Sequence, residues 1–300
     1  MMTSWQDPNP PATTDSGHNT ALIVAGAVLT LVVAAVLVAA VIFAPRNSDG
    51  DASARVVLMP SNAPGPDPFT PSLVVTPTRL SGSAPSQLTA VAGQLPVSAQ
   101  RGVRLASGLQ PGLYGGAPQS NSCDAAALAN YLDADADLAV SWSATLGLQR
   151  ADTPYYLNTL TPVILLNDSW VTSHALADGR ASPFQTVLQA GSAVLIDPAG
   201  VPRVHCASGA PLLPPAPDTL THMTVDGDAW PSYDTQDVVA VSYTDPAASP
   251  EPVTEFDLLD VSSAEPFSRP VGGTINIDAA PDRGLPDPAA MNVPPPIAGS

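Results

Sequence analysis

Lysine is missing from the whole of this 300-residue chain, and the ten basic side chains are all arginine. That absence removes several chemistries at once. A P-loop sets a lysine on the nucleotide phosphates, and a protein kinase needs one on its third strand. Penicillin-binding and β-lactamase sites are built on Ser-x-x-Lys, and a Schiff-base enzyme needs an amine. Positive charge of any kind is scarce: 27 acids against 10 arginines leave a net charge of -17. Nucleic-acid binding rests on neutralising phosphates, and docking on anionic lipid takes clustered Lys or Arg, so neither is expected. Cysteine occurs twice, at Cys123 and Cys206. What is abundant is apolar material, 45% of residues, and 35 prolines with 21 glycines that mark long irregular stretches.

The stretch ALIVAGAVLTLVVAAVLVAAVIFA, residues 21–44, carries no charge. At about 1.5 Å per residue it reaches about 36 Å as a helix, enough to cross a bilayer with some tilt. A cleaved signal peptide has a basic start and a shorter apolar run, and no cysteine directly follows the span to take a lipid anchor. A single transmembrane helix is therefore expected after a short disordered tail, 1–20. A linker over 45–54 and a folded domain over 55–278 follow. Within that domain, 81–100 reads as a flexible loop, and the proline-rich tail 279–300 reads as disordered. Arg46 and Arg55 follow the span with no basic residue before it, which taken literally favours a cytoplasmic domain. The bias is only two residues, and long domains cross largely regardless of charge. Two widely spaced cysteines suited to one disulfide favour an extracytoplasmic domain, and that orientation is the expectation.

Within the domain, Arg55 to Met59 reads as a first strand. Leu128, Tyr131 and Leu132 fall on one helical face, with Ser122 or Asp124 as cap. Leu138, Trp142 and Leu146 define a second helix that stops at Gly147, and a third short helix runs from Asp152 to Leu160. Between the first two, Asp133, Asp135 and Asp137 resemble a calcium loop. The glycine and the bidentate acid that an EF-hand needs are replaced by Leu138 and Ala144, so the acids are expected to make a turn and stabilise the next helix. The runs PVILL, SWVTSHAL, SAVLID, VPRVHC, VVAVSYT, TEFDLLDV and GTINI then read as strands, with a hairpin turn at Asp197 to Gly200. Helices first and strands later predict an α+β fold: short N-terminal helices packed on a mainly antiparallel sheet.

Several motifs resemble a known family when taken together. They are GLYGG from Gly112 followed by Cys123-Asp124, Trp142, LTPV at Leu160–Val163 and VTSH at Val171–His174. DGRA at Asp178–Ala181, LQAGSAVLID at Leu188–Asp197, GVPRV at Gly200–Val204 and PFSRPVG ending at Gly272 complete the set. The chain resembles an actinobacterial family known as domain of unknown function six-seven-seven-seven, over about Val56 to Gly272. The resemblance implies a membrane-tethered, envelope-facing domain and supplies no reaction. Family members often read Cys-x-Cys-Gly-Asn-Pro where this chain has Cys206-Ala207-Ser208-Gly209-Ala210-Pro211, so a metal or redox role resting on that cysteine pair does not carry over.

Cys123 sits at a helix start, where a thiolate is stabilised; the simpler outcome in an oxidising compartment is a disulfide to Cys206. Closing that loop stabilises by roughly 4–5 kcal/mol in the chain-entropy model. On this reading GLYGGAPQSNSCD is a shaped turn pinned by its cysteine, because seven residues separate Gly116 from the helix start and a phosphate cradle needs its glycines directly before one. A zinc set from His174, His205 and Cys206 fails because neighbours on a strand face opposite ways. There is no Gly-x-Ser-x-Gly elbow, yet His174, beside Ser173 and near Asp178, is the best candidate for a general base. Arg180 offers a planar fork to a carboxylate, and Trp170 and Trp230 are candidates for the floor of a shallow groove. His174, Arg180 and Trp230 are the candidate ligand groove; no catalytic residue, cofactor or metal is assigned. The expected function is a non-catalytic binding, scaffolding or sensing domain, single-pass and anchored at the cell membrane, its partner another envelope protein or a cell-wall component. The alternative is an envelope hydrolase using His174.

Overall fold

In this computed structural model the described residues are 55–75, 97–98, 102–241, 253–275, 277, 284–286 and 291. The chain divides into Met1–Ser48 and Asp49–Ser300, and every described residue belongs to the second unit. The expected tail 1–20, span 21–44 and linker 45–54 lie outside the described residues, as does the loop 81–100 apart from Val97–Ser98. Among the described residues no helix is long and apolar enough to cross a membrane.

The strands are β1 (Arg55–Met59), β2 (Val97–Ser98), β3 (Val103–Ala106), β4 (Tyr114–Gly116), β5 (Thr161–Leu165), β6 (Ser169–Ala177) and β7 (Arg180–Leu188). They continue as β8 (Ala193–Ile196), β9 (Pro202–His205), β10 (Ala210–Pro211), β11 (Thr224–Asp226), β12 (Val239–Val241), β13 (Glu255–Asp260) and β14 (Pro266–Pro270). Three helices, α1 (Ala125–Ala134), α2 (Ala136–Thr145) and α3 (Thr153–Thr159), sit between β4 and β5. The strands form two sheets, one ordered β11-β1-β7-β6-β12-β3-β2 and one ordered β10-β9-β8-β5-β4-β13-β14.

The fold is α+β, but the expectation of a mainly antiparallel sheet is corrected. In the first sheet β1 runs parallel to both β11 and β7, and β12 parallel to both β6 and β3. Only β6–β7 and β2–β3 are antiparallel there. The second sheet is antiparallel except where β4 lies parallel to β13. The reason is topological. Hairpin turns join neighbours such as β6–β7, whereas β1 inserts beside β7 from far earlier in the chain, and such a crossover places no constraint toward antiparallel pairing. Among the described residues of the expected strand GTINI, 273–275 and 277, none is in a strand.

Alternation along the strands builds the layers. On β8, Ala193 and Leu195 face the helices, packing with Leu128, Trp142 and Leu157. Val194 and Ile196 face the other sheet, packing with Val171, Leu188 and Val239. The far side of the first sheet buries Val56, Trp170 and Val187 beneath Leu220 and Met223. Trp170, a candidate groove floor in the sequence, is therefore core, its indole N–H donated to Gln185 Oε1 at 2.9 Å.

The first two helices start as their caps dictate. Asp124 accepts from Ala127 N at 2.8 Å, and Asp135 accepts from both Asp137 N and Leu138 N, so the Asp133–Asp137 run serves helix initiation. Gly147, with φ +68°, follows the end of α2. The glycine-rich motif becomes β4. A Cβ on Gly115 would stand 2.7 Å from Leu259 O, so only glycine lets β13 approach. Arg269 on β14 then holds the following turn, donating to Ala117 O, Ser120 O and Pro162 O at 2.6–2.9 Å.

Cys123 and Cys206 are joined in a buried disulfide, Cα–Cα 5.8 Å, so the reactive-thiol reading falls. Leu73 threads between the two cysteine segments: its N–H donates to Cys206 O and its carbonyl accepts from Asp124 N. In the tail read as disordered, Leu285 packs against the helical core and Met291 is buried.

Candidate functional site

A cleft of about 570 Å³ opens between α2 and the β6–β7 turn, lined by Asp137, Val140, Ser141, Thr145, Asp178 and Arg180, with Ala144 and Ala181 also in its wall. The turn is local chemistry. Asp178 and Gly179 both adopt left-handed backbone, φ +50° and +73°, as a two-residue hairpin loop requires. Ala177 and Arg180 are the closing pair. Ala181 N donates to Ser141 Oγ at 2.8 Å, which fixes the turn against α2. Thr145 Oγ1 donates to Ser141 O at 3.2 Å. Val140 points outward with 56% of its surface exposed, while Ala139 and Trp142 take the buried face of the same helix.

The three residues expected to share a groove lie in three places. Arg180 is exposed at the hairpin tip. His174 sits back along β6 opposite Pro183, buried, its Nδ1 donating to Pro211 O at 2.9 Å. Burial holds its imidazole below the usual histidine range, and the hydrogen bond to that carbonyl only partly opposes this. Trp230 is half-buried, packed edge-on against Tyr233, and donates its indole N–H to Asp168 Oδ2 at 2.8 Å. Asp168 precedes β6 and Arg180 follows it, so about 30 Å of strand separates the two ends. Burial is also the chief cause of the raised pKa of Asp168, with donors from Ala190 N and Trp230 working against it. The residues that do accompany Arg180, Asp137, Val140 and Ser141, were missed as site residues. Their signal was the Asp-Gly turn together with the i, i+3, i+4 spacing of the outer face of α2.

Two polar groupings lie inside. His205 Nδ1 meets Ser208 Oγ at 3.1 Å, both residues buried, and burial pushes the His205 imidazole down to about 4. That is a serine–histidine contact with no path from solvent to either atom. Cys206 between them is held by the disulfide, which removes it from any zinc set with His174 and His205. Deeper still, Arg203 Nε donates to Asp197 Oδ2 at 2.8 Å with both side chains fully buried. Asp197 Oδ1 accepts from Ala199 N and Val201 N, closing the β8–β9 turn, and Arg203 Nη1 donates to Met291 O. This ion pair lies close enough to Tyr156 to act on its phenol, whose pKa burial drives up.

Two mixed sheets under a three-helix layer, clipped by one disulfide, define a compact α+β domain whose solvent-facing chemistry is a charged cleft on a helix–hairpin junction. The chain belongs to the family described as Domain of unknown function (DUF6777), whose model matches residues 104–272, more than half of the chain. The match begins at Arg104, not near Val56, so β1 and the Leu73 segment lie outside it although both are built into the fold. No curated protein and no solved structure matches the chain.

Proposed function

We propose that this chain is a single-pass, membrane-anchored envelope protein whose folded domain, outside the membrane, binds or scaffolds rather than catalyses. The observation that carries the reading is the state of His174. A general base must come within hydrogen-bond reach of its substrate's proton. His174 is buried and engaged by the Pro211 carbonyl, and burial holds its imidazole below the usual histidine range. The groups that do face solvent together, Arg180, Asp137, Asp178 and Ser141, suit holding a charged ligand. The disulfide supports an extracytoplasmic site because such bonds persist in oxidising compartments, and the uncharged run over 21–44 supports the anchor. Another envelope protein or a cell-wall component is the partner on this reading.

The test has two arms. The full-length chain and its His174→Ala variant are treated with a fluorophosphonate probe, and neither is expected to label. Labelling lost in the variant would restore the hydrolase reading. Protease added to whole cells is expected to degrade the domain beyond residue 55, and full protection of that region refutes the orientation.

A further inference from the structure

We infer that the cleft between α2 and the β6–β7 turn binds a small zwitterion, an amino acid or dipeptide with short aliphatic side chains. The inference rests on the binding reading above and names its ligand class. Three observations carry it. First, the described ion pairs engage Arg55, Arg104 and Arg203, and Arg269 is held by three carbonyls. Arg180, like Arg150, makes no ion pair among the described residues, and in a chain of net charge -17 Arg180 stands at the wall of an open cleft. Its planar fork suits a carboxylate. Second, Asp137 and Asp178 line the same cleft, and neither has an ion-pair partner among the described residues. A ligand that is only an anion meets those two acids, and one that is only a cation meets Arg180. A ligand carrying both charges satisfies both sides. Third, part of the lining is apolar: Val140, Ala144 and Ala181. Val140 is one of few large hydrophobic side chains left exposed among the described residues, and covering it with a methyl or isopropyl group removes that apolar surface from water. Ser141 Oγ already accepts from Ala181 N, so its proton remains to be donated to the ligand carboxylate.

The experiment uses the full-length chain and saturation-transfer NMR, with alanyl-alanine as the probe beside its N-acetyl and C-amide forms. Alanyl-alanine is expected to bind. Capping either end weakens binding about tenfold or more, the size of one lost charge-assisted hydrogen bond. Arg180→Gln removes the preference for the free carboxylate, and Asp137→Asn with Asp178→Asn removes that for the free amine. Val140→Glu, a change at an exposed position, fills the apolar part of the cleft with a charged side chain and abolishes binding. If capped and uncapped probes bind alike, or Arg180→Gln changes nothing while Val140→Glu still blocks, the zwitterion is wrong and the cleft stands as a binding site. If no probe binds at millimolar concentration, or Val140→Glu leaves binding untouched, the cleft is not the site and the inference fails with it.

Discussion

Removing the charge of Asp197 is the sharpest perturbation the fold offers. Its carboxylate does three things in a dry interior: one oxygen accepts from Ala199 N and Val201 N at 3.0 Å each, and the other accepts from Arg203 Nε at 2.8 Å. Asp197→Asn keeps an oxygen for the two turn amides but removes the carboxylate charge that pairs with Arg203 Nε. Breaking one partner of a buried pair costs about 3–5 kcal/mol. Asp197→Ala also strips the turn amides of their acceptor, at about 1–3 kcal/mol for each orphaned donor. The larger loss rivals the whole stability of an ordinary domain, about 5–15 kcal/mol. Urea unfolding of the full-length chain, followed by tryptophan fluorescence, reads this directly because Trp142 and Trp170 are fully buried. With a slope of about 2–3 kcal/mol per molar, Asp197→Asn should lower the midpoint by about 1–2 M. The decisive variant is Asp197→Asn combined with Arg203→Met, which removes the guanidinium charge as well and keeps its volume. It should recover at least about 2 kcal/mol relative to Asp197→Asn alone. If the two changes simply add, or Asp197→Asn costs less than about 1 kcal/mol, the pair does not hold the β8–β9 hairpin as argued.

Three further outcomes follow from the same structure. Replacing both Cys123 and Cys206 with alanine opens a loop spanning a sequence separation of 83 and should lower stability by up to about 4.5 kcal/mol; an unchanged urea midpoint would mean the bond contributes nothing. The native His205 imidazole, pushed down from 6.5 to about 4, refuses a proton that the unfolded chain accepts. Its contribution is complete above pH 6.5 and is lost as pH falls toward 4, by about 3 kcal/mol. His205→Asn should flatten that part of the stability–pH curve, and an identical slope in the variant contradicts the assignment. Gly200 has φ +80° and no room for a Cβ, which would collide with Gly108 O, so Gly200→Ala should unfold the domain or cost several kcal/mol, about what strain plus a backbone clash imposes; a circular-dichroism melt within a few degrees of the parent would show that the two loops do not approach so closely.

The helices were legible because their information is local: an aspartate cap, apolar residues three and four apart, and a glycine stop are all contained in ten or so residues. The strands β5, β6, β8 and β9 were legible for the same reason, as β-branched runs between turn residues. Sheet order was not. Val56 pairs with Gln185 across more than a hundred residues, and nothing near Val56 encodes that neighbour or its parallel direction. Burial escaped in the same way. Ser173 and His174 looked like a reactive pair, yet strand alternation sends adjacent side chains apart, and only the packed Pro211 segment takes His174 out of reach. Arg180, a planar fork for a carboxylate in the sequence, was grouped there with Trp230; the structure sets it beside Ser141 instead, through one hydrogen bond from Ala181 N across forty residues of sequence. The C-terminal tail shows most clearly what composition hides. Its prolines and missing periodicity describe an average, and on average such a segment buries too little to fold. Docking does not depend on the average. At one described point of that segment the Met291 side chain is buried and its carbonyl accepts from the buried Arg203 guanidinium, a hydrogen bond to a charged donor that is worth more than a neutral one.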